Sequence, residues 1–166
     1  MSFAADNMTD TMSDEKMISI LFVCTGNSCR SQMAEGFMRH WAGDRVNVKS
    51  AGSHPADDVS RLTVQVMHEV GIDISGHSTK SIDSLKDEKF DWVITLCDFA
   101  RDFCPAFQSA KGPAQTLHWS IHDPITASND PALKLQAYRD ARDEIARRIS
   151  EWLEKEMGIR VIYDPE

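Results

Sequence analysis

The sequence predicts an α/β domain, a three-layer sandwich in which helices cover both faces of a central, mostly parallel, four-stranded sheet. The first observation is the run ISILFVC at 18–24, which is continuously apolar and rich in β-branched residues. Such a run is typical of a strand that is buried on both faces of a parallel sheet. The second observation is that strand-like and helix-like patterns alternate along the chain. This alternation indicates parallel strands joined by crossover helices.

The remaining elements follow in chain order. Helical periodicity extends over 28–41, where Met33, Phe37 and either Met38 or Trp41 share one face. We expect further strands at 47–53, 92–97 and 116–119, and further helices at 57–71, 81–88 and about 130–157. The apolar stripe of the last helix consists of Tyr138, Ile145, Ile149, Trp152 and Leu153. The segment 98–113 is predicted to be a loop or a short helix, and 158–166 an edge strand or a loose tail.

Length and charge limit the organisation and the partners of the chain. Its 166 residues fit a single catalytic domain at 17–157, with a disordered polar extension at 1–16 and a tail at 158–166. A net charge of −8 argues against nucleic acid or an anionic membrane as a partner. The sequence contains no apparent membrane span or signal peptide, so we expect a cytoplasmic protein. We also expect a monomer. In the cytoplasm, the four cysteines would be free thiols.

A cysteine, a flexible loop and an arginine occur together where the first strand meets the first helix, in CTGNSCR at 24–30. Ligands bind at this edge of an open α/β sheet. Loop N–H groups and the helix dipole would cradle a tetrahedral anion, and their field favours the thiolate of Cys24, the expected nucleophile. Arg30 would clamp two anion oxygens, and Ser31 would donate to the thiolate. The expected oxyanion-binding residues are Thr25, Gly26, Asn27, Ser28, Cys29, Arg30 and Ser31.

The motif CTGNSCRSQMAEG at 24–36 resembles the phosphate-binding loop of low-molecular-weight protein tyrosine phosphatases, and most closely that of thioredoxin-coupled arsenate reductases with the same fold. The resemblance spans about 17–157 and includes SAG at 50–52, IDISGH at 72–77, VITLC at 93–97 and the Asp-Pro pair at 123–124. It implies the low-molecular-weight tyrosine phosphatase fold. It also implies that Asp123 is a general acid that protonates the departing oxygen, on a loop stiffened by Pro124.

Two more cysteines bear on whether the chain reduces or hydrolyses its substrate. Reduction of arsenate to arsenite needs two electrons, which thiols can supply by forming a disulfide. Cys97 ends the predicted strand 92–97, at the same sheet edge as Cys24, and Cys104 follows seven residues later. The resemblance implies that Cys97 attacks the Cys24–arsenic adduct and releases arsenite, and that Cys104 then forms a disulfide with Cys97. It further implies that thioredoxin, and no bound cofactor, supplies the electrons.

The main alternative is a phosphatase that hydrolyses phosphate monoesters. Phosphatases of this fold commonly carry aromatic side chains after the second strand and after the Asp-Pro pair, where they grip a phosphotyrosine ring. The corresponding segments here, SAGSHPADDVS and DPITAS, contain no aromatic residue, which favours a small inorganic substrate. A four-sulfur zinc site is a further alternative. The cysteine spacings differ from those of zinc knuckles and Arg30 would have no role in such a site, so we expect no metal.

The segment CDFARDFC at 97–104 is predicted to be mobile. A helix between its two cysteines would hold their α-carbons about 10 Å apart, beyond the roughly 7 Å limit for a disulfide. The segment must therefore unwind on oxidation. Cys29, the fourth cysteine, is expected to be structural or a bystander thiol that is prone to oxidation.

Position 80 departs from the family pattern. Some of the reductases that this chain resembles bind potassium behind the loop, through residues matching Asn27, Ser50 and Ser78 and a carboxylate two positions after the last. This chain has Lys80 there, and its ammonium would take the place of the cation. We therefore expect activity that does not depend on potassium. His77 would either brace this region through hydrogen bonds or simply pack there.

Overall fold

The structure is a computed structural model that describes residues 17–165. The predicted disordered extension at 1–16 lies outside the described residues. Within the described part, no helix combines the length and the apolar character needed to cross a membrane.

Six strands and four α-helices make up the described chain. The strands are β1 (Ile18–Cys24), β2 (Val46–Gly52), β3 (Trp92–Thr95), β4 (Gln108–Ser109), β5 (Gly112–Pro113) and β6 (Gln115–His118). The helices are α1 (Arg30–Ala42), α2 (Arg61–Glu69), α3 (Asp98–Phe103) and α4 (Pro131–Met157). Short 3₁₀ turns occupy Gly43–Arg45, Ile82–Leu85 and Pro124–Thr126, so the helix predicted at 81–88 is a single 3₁₀ turn.

The central sheet has the strand order β2-β1-β3-β6, and all its pairs are parallel. The predicted fold class is therefore confirmed. Cys24 pairs with Gly52 on β2, and Val23 pairs with Thr95 on β3. Because parallel strands end at the same edge of a sheet, the loops after β1, β2 and β3 meet there. The small hairpin of β4 and β5 is separate and antiparallel.

The core lies on both faces of β1, where every residue from Ile20 to Cys24 is buried. The predicted helix stripes contribute to this core: Met33, Phe37 and Met38 of α1 are fully buried, as are Ile145, Ile149 and Leu153 of α4. Each such side chain contributes about 1.5–3 kcal/mol through burial. Because successive side chains of a strand point to opposite faces, the burial of every residue from Ile20 to Cys24 shows that both faces of β1 are covered, as a three-layer arrangement requires.

The stretch after α4 forms neither the edge strand nor the loose tail that the sequence predicts. Gly158 ends α4 with φ 66°, a left-handed conformation that favours glycine. Ile159, Val161 and Tyr163 then pack against the core. The ring of Tyr163 lies edge-on to Phe37 of α1, with centroids 5.6 Å apart. Apolar side chains at every second position thus bury one side of this segment without strand pairing.

Helix α2 is shorter than the predicted 57–71, and the preceding loop explains why. Backbone N–H groups of His54, Ala56 and Ser60 donate to the carbonyls of Thr25, Gly26 and Ser28, at 2.8–2.9 Å. These N–H groups are therefore used to hold the loop after β1, and the helix begins only at Arg61. The segment 53–60 is a brace for the predicted oxyanion loop.

Candidate active site

The loop between β1 and α1 has the tight curvature that its composition predicts. Asn27 has a φ of 51°, the only positive value among the non-glycine residues of the described chain. Gly52, at the end of β2, lies directly against the loop. A Cβ atom at Gly52 would be 2.5 Å from the carbonyl oxygen of Thr25, far inside normal contact distance. The loop therefore requires a glycine at position 52.

Cys24 lies buried at the base of this loop, beside the serine predicted to interact with it. Its Sγ atom is 2.9 Å from the Oγ of Ser31. The Nδ2 of Asn27 donates to the same Oγ at 2.8 Å, so the Ser31 oxygen acts as an acceptor there and its own proton is free to point at the sulfur. A hydroxyl donated in this way stabilises a thiolate.

Arg30 begins α1 and links the loop to the segment that follows β6. Its Nη1 donates to the carbonyl of Ile121 at 3.0 Å, and its Nη2 lies 3.6 Å from Oδ2 of Asp123. The other carboxylate oxygen, Oδ1, accepts from the N–H of Ile125. Pro124 is buried. Arg30 and the Asp-Pro turn thus hold the Asp123 carboxylate at the edge of the anion loop.

A buried carboxylate that the sequence analysis missed, Glu35 of α1, lies behind the loop. It accepts a hydrogen bond from Ser50 at 2.7 Å and pairs with Arg39 at 2.8 Å. The Nζ of Lys80 is 3.9 Å from its Oε1 and donates to the carbonyl of Ser78 at 3.1 Å. The ammonium of Lys80 therefore lies near the buried negative charge. The available signal was weak: Glu35 is the only charged residue between Arg30 and Arg39 in the predicted helix.

His77 braces the loop through Gln32, as one of the two sequence interpretations proposed. The His77 Nδ1 is 2.9 Å from Oε1 of Gln32, whose amide nitrogen donates to the carbonyls of Asn27 and Ser78. Burial is the main reason that the pKa of His77 lies below its usual value, although nearby Glu35 acts in the opposite direction. A neutral imidazole is therefore favoured at this position.

Cys97 follows β3 and lies at the same sheet edge as Cys24. Its Sγ is 3.2 Å from Oγ1 of Thr25, the neighbour of Cys24, and it accepts from the N–H of Ala100 at 3.4 Å as the cap of α3. Cys104 lies at the other end of this helix and is half-buried. Burial raises the pKa of the Cys104 thiol to about 11. All four cysteines are free thiols. The intact helix α3 separates Cys97 from Cys104.

The remaining cysteine, Cys29, is buried at the start of α1. Burial is the main cause that raises the pKa of its thiol to about 12. A protonated, buried thiol reacts slowly with oxidants, which favours the structural over the oxidation-prone interpretation. Within residues 17–165, no group of three or more cysteine, histidine or acidic side chains is arranged to hold a metal ion.

An aromatic ring near the site comes from the 97–104 segment, which the sequence singles out only for its cysteines and its mobility. The ring of Phe99, on α3, lies 5.4 Å from the ring of His54, in the loop after β2. Phe99 also contacts Phe103, and both rings are exposed. The loops after β2 and after Asp123 contain no aromatic residue, but α3 places the ring of Phe99 beside the loop after β2.

Comparisons with known proteins agree with this geometry. A family model described as low molecular weight phosphotyrosine protein phosphatase matches residues 19–159. An arsenate reductase from Halalkalibacterium halodurans is 44% identical over 135 residues, which cover 81% of this chain and 94% of the relative.

Solved structures of arsenate reductases have the same fold as this chain. A structure described as an arsenate reductase in the phosphate binding state has a TM-score of 0.69 and 32% identity, and the match covers 84% of this chain and 98% of the other. A thioredoxin-dependent arsenate reductase from Corynebacterium glutamicum has a TM-score of 0.64 and 28% identity, covering 93% of this chain and 71% of the other.

Proposed function

Since this chain belongs to the low molecular weight phosphotyrosine protein phosphatase family, we propose that it is an arsenate reductase that uses three cysteines in sequence. The observation that carries the proposal is the position of Cys97, whose Sγ lies 3.2 Å from Oγ1 of Thr25 in the anion loop. Reduction of arsenate needs two electrons, which a second thiol beside Cys24 can help to supply, whereas hydrolysis needs none. The relatives described as arsenate reductases support the same choice.

The first step is the attack of the Cys24 thiolate on arsenic(V). The arsenate oxygens bind the loop N–H groups and the guanidinium of Arg30, which stabilise the charge that develops. The sulfur–arsenic bond forms as one arsenic–oxygen bond breaks. Asp123, close to Arg30, gives its proton to that oxygen, which leaves as water.

The second step transfers two electrons to arsenic. The thiolate of Cys97 attacks the sulfur of Cys24, and a disulfide forms between them. The electron pair of the sulfur–arsenic bond goes to arsenic, which leaves as arsenite, arsenic(III).

The third step moves the disulfide away from the anion loop. Cys104 attacks the sulfur of Cys97, and the thiolate of Cys24 is the leaving group. A dithiol donor then reduces the Cys97–Cys104 disulfide. We assign this role to thioredoxin, which the Corynebacterium glutamicum relative is described as using. Thioredoxin keeps cytoplasmic thiols reduced, so we place the reaction in the cytoplasm and assign the chain no bound cofactor.

Hydrolysis of phosphate esters is the second candidate function, because Cys24, Arg30 and Asp123 suffice for it. The contact between Phe99 and His54 favours this alternative, since the exposed ring offers a surface for an aromatic leaving group.

The two functions are separated by parallel assays of the reduced protein. One assay follows arsenate-dependent oxidation of NADPH through thioredoxin and thioredoxin reductase, and the other follows hydrolysis of phenyl phosphate. We expect arsenate-dependent oxidation that is lost in Cys97→Ser and retained in Asp102→Ala, an exposed position on the same helix. Hydrolysis without arsenate reduction would overturn the proposal.

A further inference from the structure

His118, the last residue of β6, connects the edge of the sheet to the start of α3. Its Nε2 lies 2.8 Å from Oδ1 of Asp98, the first residue of α3, which directly follows Cys97. Its Nδ1 lies 2.7 Å from Oγ1 of Thr95, on the neighbouring strand β3. The imidazole is thus held on one side by the rigid sheet and on the other by the helix between the two redox cysteines.

Both protonation states of His118 satisfy this arrangement. In the neutral ring, Nε2–H donates to Asp98 and Nδ1 accepts the hydroxyl proton of Thr95. In the charged ring, both nitrogens donate, and the hydroxyl of Thr95 turns to the carbonyl of Leu117, 3.4 Å away. The link to Asp98 is therefore present in both protonation states of the ring. The hydrogen bond from His118 is also the main reason that the pKa of Asp98 lies below its usual value.

On the proposed function, α3 has to unwind before Cys104 can reach Cys97. We infer that His118 is a positioning residue that latches the first turn of α3 to the sheet, and so favours the reduced, helical form of the 97–104 segment. This inference rests on the proposed function. The latch keeps Cys97 beside Thr25, where it faces the Cys24 adduct, and it opposes early formation of the Cys97–Cys104 disulfide.

The space that the 97–104 segment needs when α3 unwinds lies next to the contact between His118 and Asp98. A cavity of about 600 Å³ separates the 101–107 segment from β6, and its walls include Cys104, Phe107, Leu117 and His118. Cys104 therefore has room to shift when the helix opens. The hydroxyl of Ser120 also hydrogen-bonds to the Asp98 carboxylate. The other ionic neighbour of Asp98 within the described residues is Arg101, whose Nη1 is 4.0 Å from Oδ1 on the same helix. Since Arg101 moves with α3, it does not tie the helix to the sheet.

The inference predicts a change in the redox equilibrium of the segment. The test uses the Cys24→Ser protein, in which Cys97 and Cys104 pair without competition from Cys24 and the remaining thiol, Cys29, is buried, in buffers of reduced and oxidised glutathione. As the two thiols form a disulfide, one oxidised glutathione becomes two thiols. Alkylation after an acid quench and mass spectrometry give the oxidised fraction. We expect His118→Asn and Asp98→Ala each to shift this equilibrium about threefold to tenfold toward the disulfide. A tenfold shift corresponds to a potential lower by about 30 mV.

Matched variants distinguish loss of the contact between His118 and Asp98 from a non-specific destabilisation of the fold. A glutamine at position 118 places an amide N–H near the position of Nε2, so His118→Gln should stay within about twofold of the parent protein. Asparagine is too short to reach Asp98. The control Asp102→Ala removes an exposed carboxylate of the same helix and should also stay within about twofold. The double variant His118→Asn with Asp98→Ala should shift the equilibrium no further than the larger single change, since each change alone already removes the contact between the two residues.

If His118→Asn and Asp98→Ala both keep the thiol–disulfide equilibrium of the parent protein, the inference is overturned and the proposed function still stands. If the shifts of the two single variants add in the double variant, the inference is likewise overturned and the proposed function still stands. A parent protein that never forms the Cys97–Cys104 disulfide at any glutathione ratio would overturn the proposed function, and the latch with it. Asp98 is two-thirds exposed, so its variants test the latch without disturbing the core.

Discussion

The Sγ atom of Cys97 lies 3.2 Å from the Oγ1 atom of Thr25, which directly follows the proposed nucleophile Cys24. The two residues are 72 positions apart in sequence and meet because β1 and β3 are parallel neighbours. On the proposed function, a thiol that is needed only in the second chemical step is therefore in place before the first step begins.

Replacing Cys97 by serine should separate the two steps. We expect arsenate turnover through thioredoxin to fall at least about 100-fold, because the adduct on Cys24 has no thiol to resolve it. Hydrolysis of phenyl phosphate should stay within about threefold, since Cys24, Arg30 and Asp123 are unchanged. Both rates are measured on the same preparation. Sustained arsenite production by Cys97→Ser would contradict the order of steps.

Replacing Asp123 by asparagine should slow the step that expels an oxygen. A positioned general acid contributes about 10²–10⁴-fold, and we expect a loss of that size in arsenate turnover. For phosphate esters, the loss should be smaller with p-nitrophenyl phosphate than with phenyl phosphate, since a better leaving group needs less protonation. Equal losses with the two esters would assign Asp123 a structural role through Arg30 instead.

The 97–104 segment should become more mobile on oxidation. Its helix α3 places Cys97 and Cys104 at opposite ends, and a disulfide between them cannot form while the helix is intact. Hydrogen exchange of peptides covering this segment should be faster in the disulfide form than in the reduced form. The 130–157 region, which includes α4, serves as the internal reference. Equal exchange in the two forms would contradict the prediction that α3 unwinds.

Alkylation of Cys104 should show a raised pKa in the reduced protein. Burial raises this pKa from 9.0 to about 11, so the thiolate that reacts appears only as the pH rises toward that value. At pH 8 the thiolate fraction is about 100-fold smaller than in an unfolded chain, and the alkylation rate should fall in proportion. Mass spectrometry of the Cys104 peptide, with urea-unfolded protein as control, measures both rates. Equal rates at pH 8 would contradict this expectation.

Potassium should have no effect on the enzyme with Lys80 in place. The Lys80 ammonium lies 3.9 Å from the buried carboxylate of Glu35 and neutralises part of its charge. Removing that charge in Lys80→Gln should leave room for a monovalent cation, and potassium should then raise the unfolding temperature relative to sodium. The unchanged protein, melted in the same two salts, is the control. Strong activation of that protein by potassium over sodium would refute the prediction.

The sequence predicts the sheet and the anion loop well because each rests on local pattern. The run that forms β1 is apolar without interruption, and the loop from Cys24 to Arg30 carries its own turn and charge chemistry. The shortened α2 was not predictable in this way. Its missing first turn depends on N–H groups at 53–60 that bond to the loop after β1, a contact between segments about 30 residues apart.

The parts of the site that the sequence does not predict also depend on contacts between distant segments. Glu35 becomes identifiable only when Ser50, Arg39 and Lys80 are seen around it, and those groups come from three different parts of the chain. Phe99 reaches His54 because α3 follows directly after β3, at the common sheet edge. In both cases the decisive information is a tertiary contact, which no single segment contains.

The close approach of Gly52 to Thr25 has a consequence for how mutational data on this protein are interpreted. Any side chain at position 52 would displace the anion loop by steric overlap, since its Cβ would lie 2.5 Å from a backbone oxygen. In a saturation screen, position 52 would therefore be as intolerant as the nucleophile, although glycine has no group that reacts. Intolerance to substitution identifies the residues that leave space for the chemistry as readily as those that perform it.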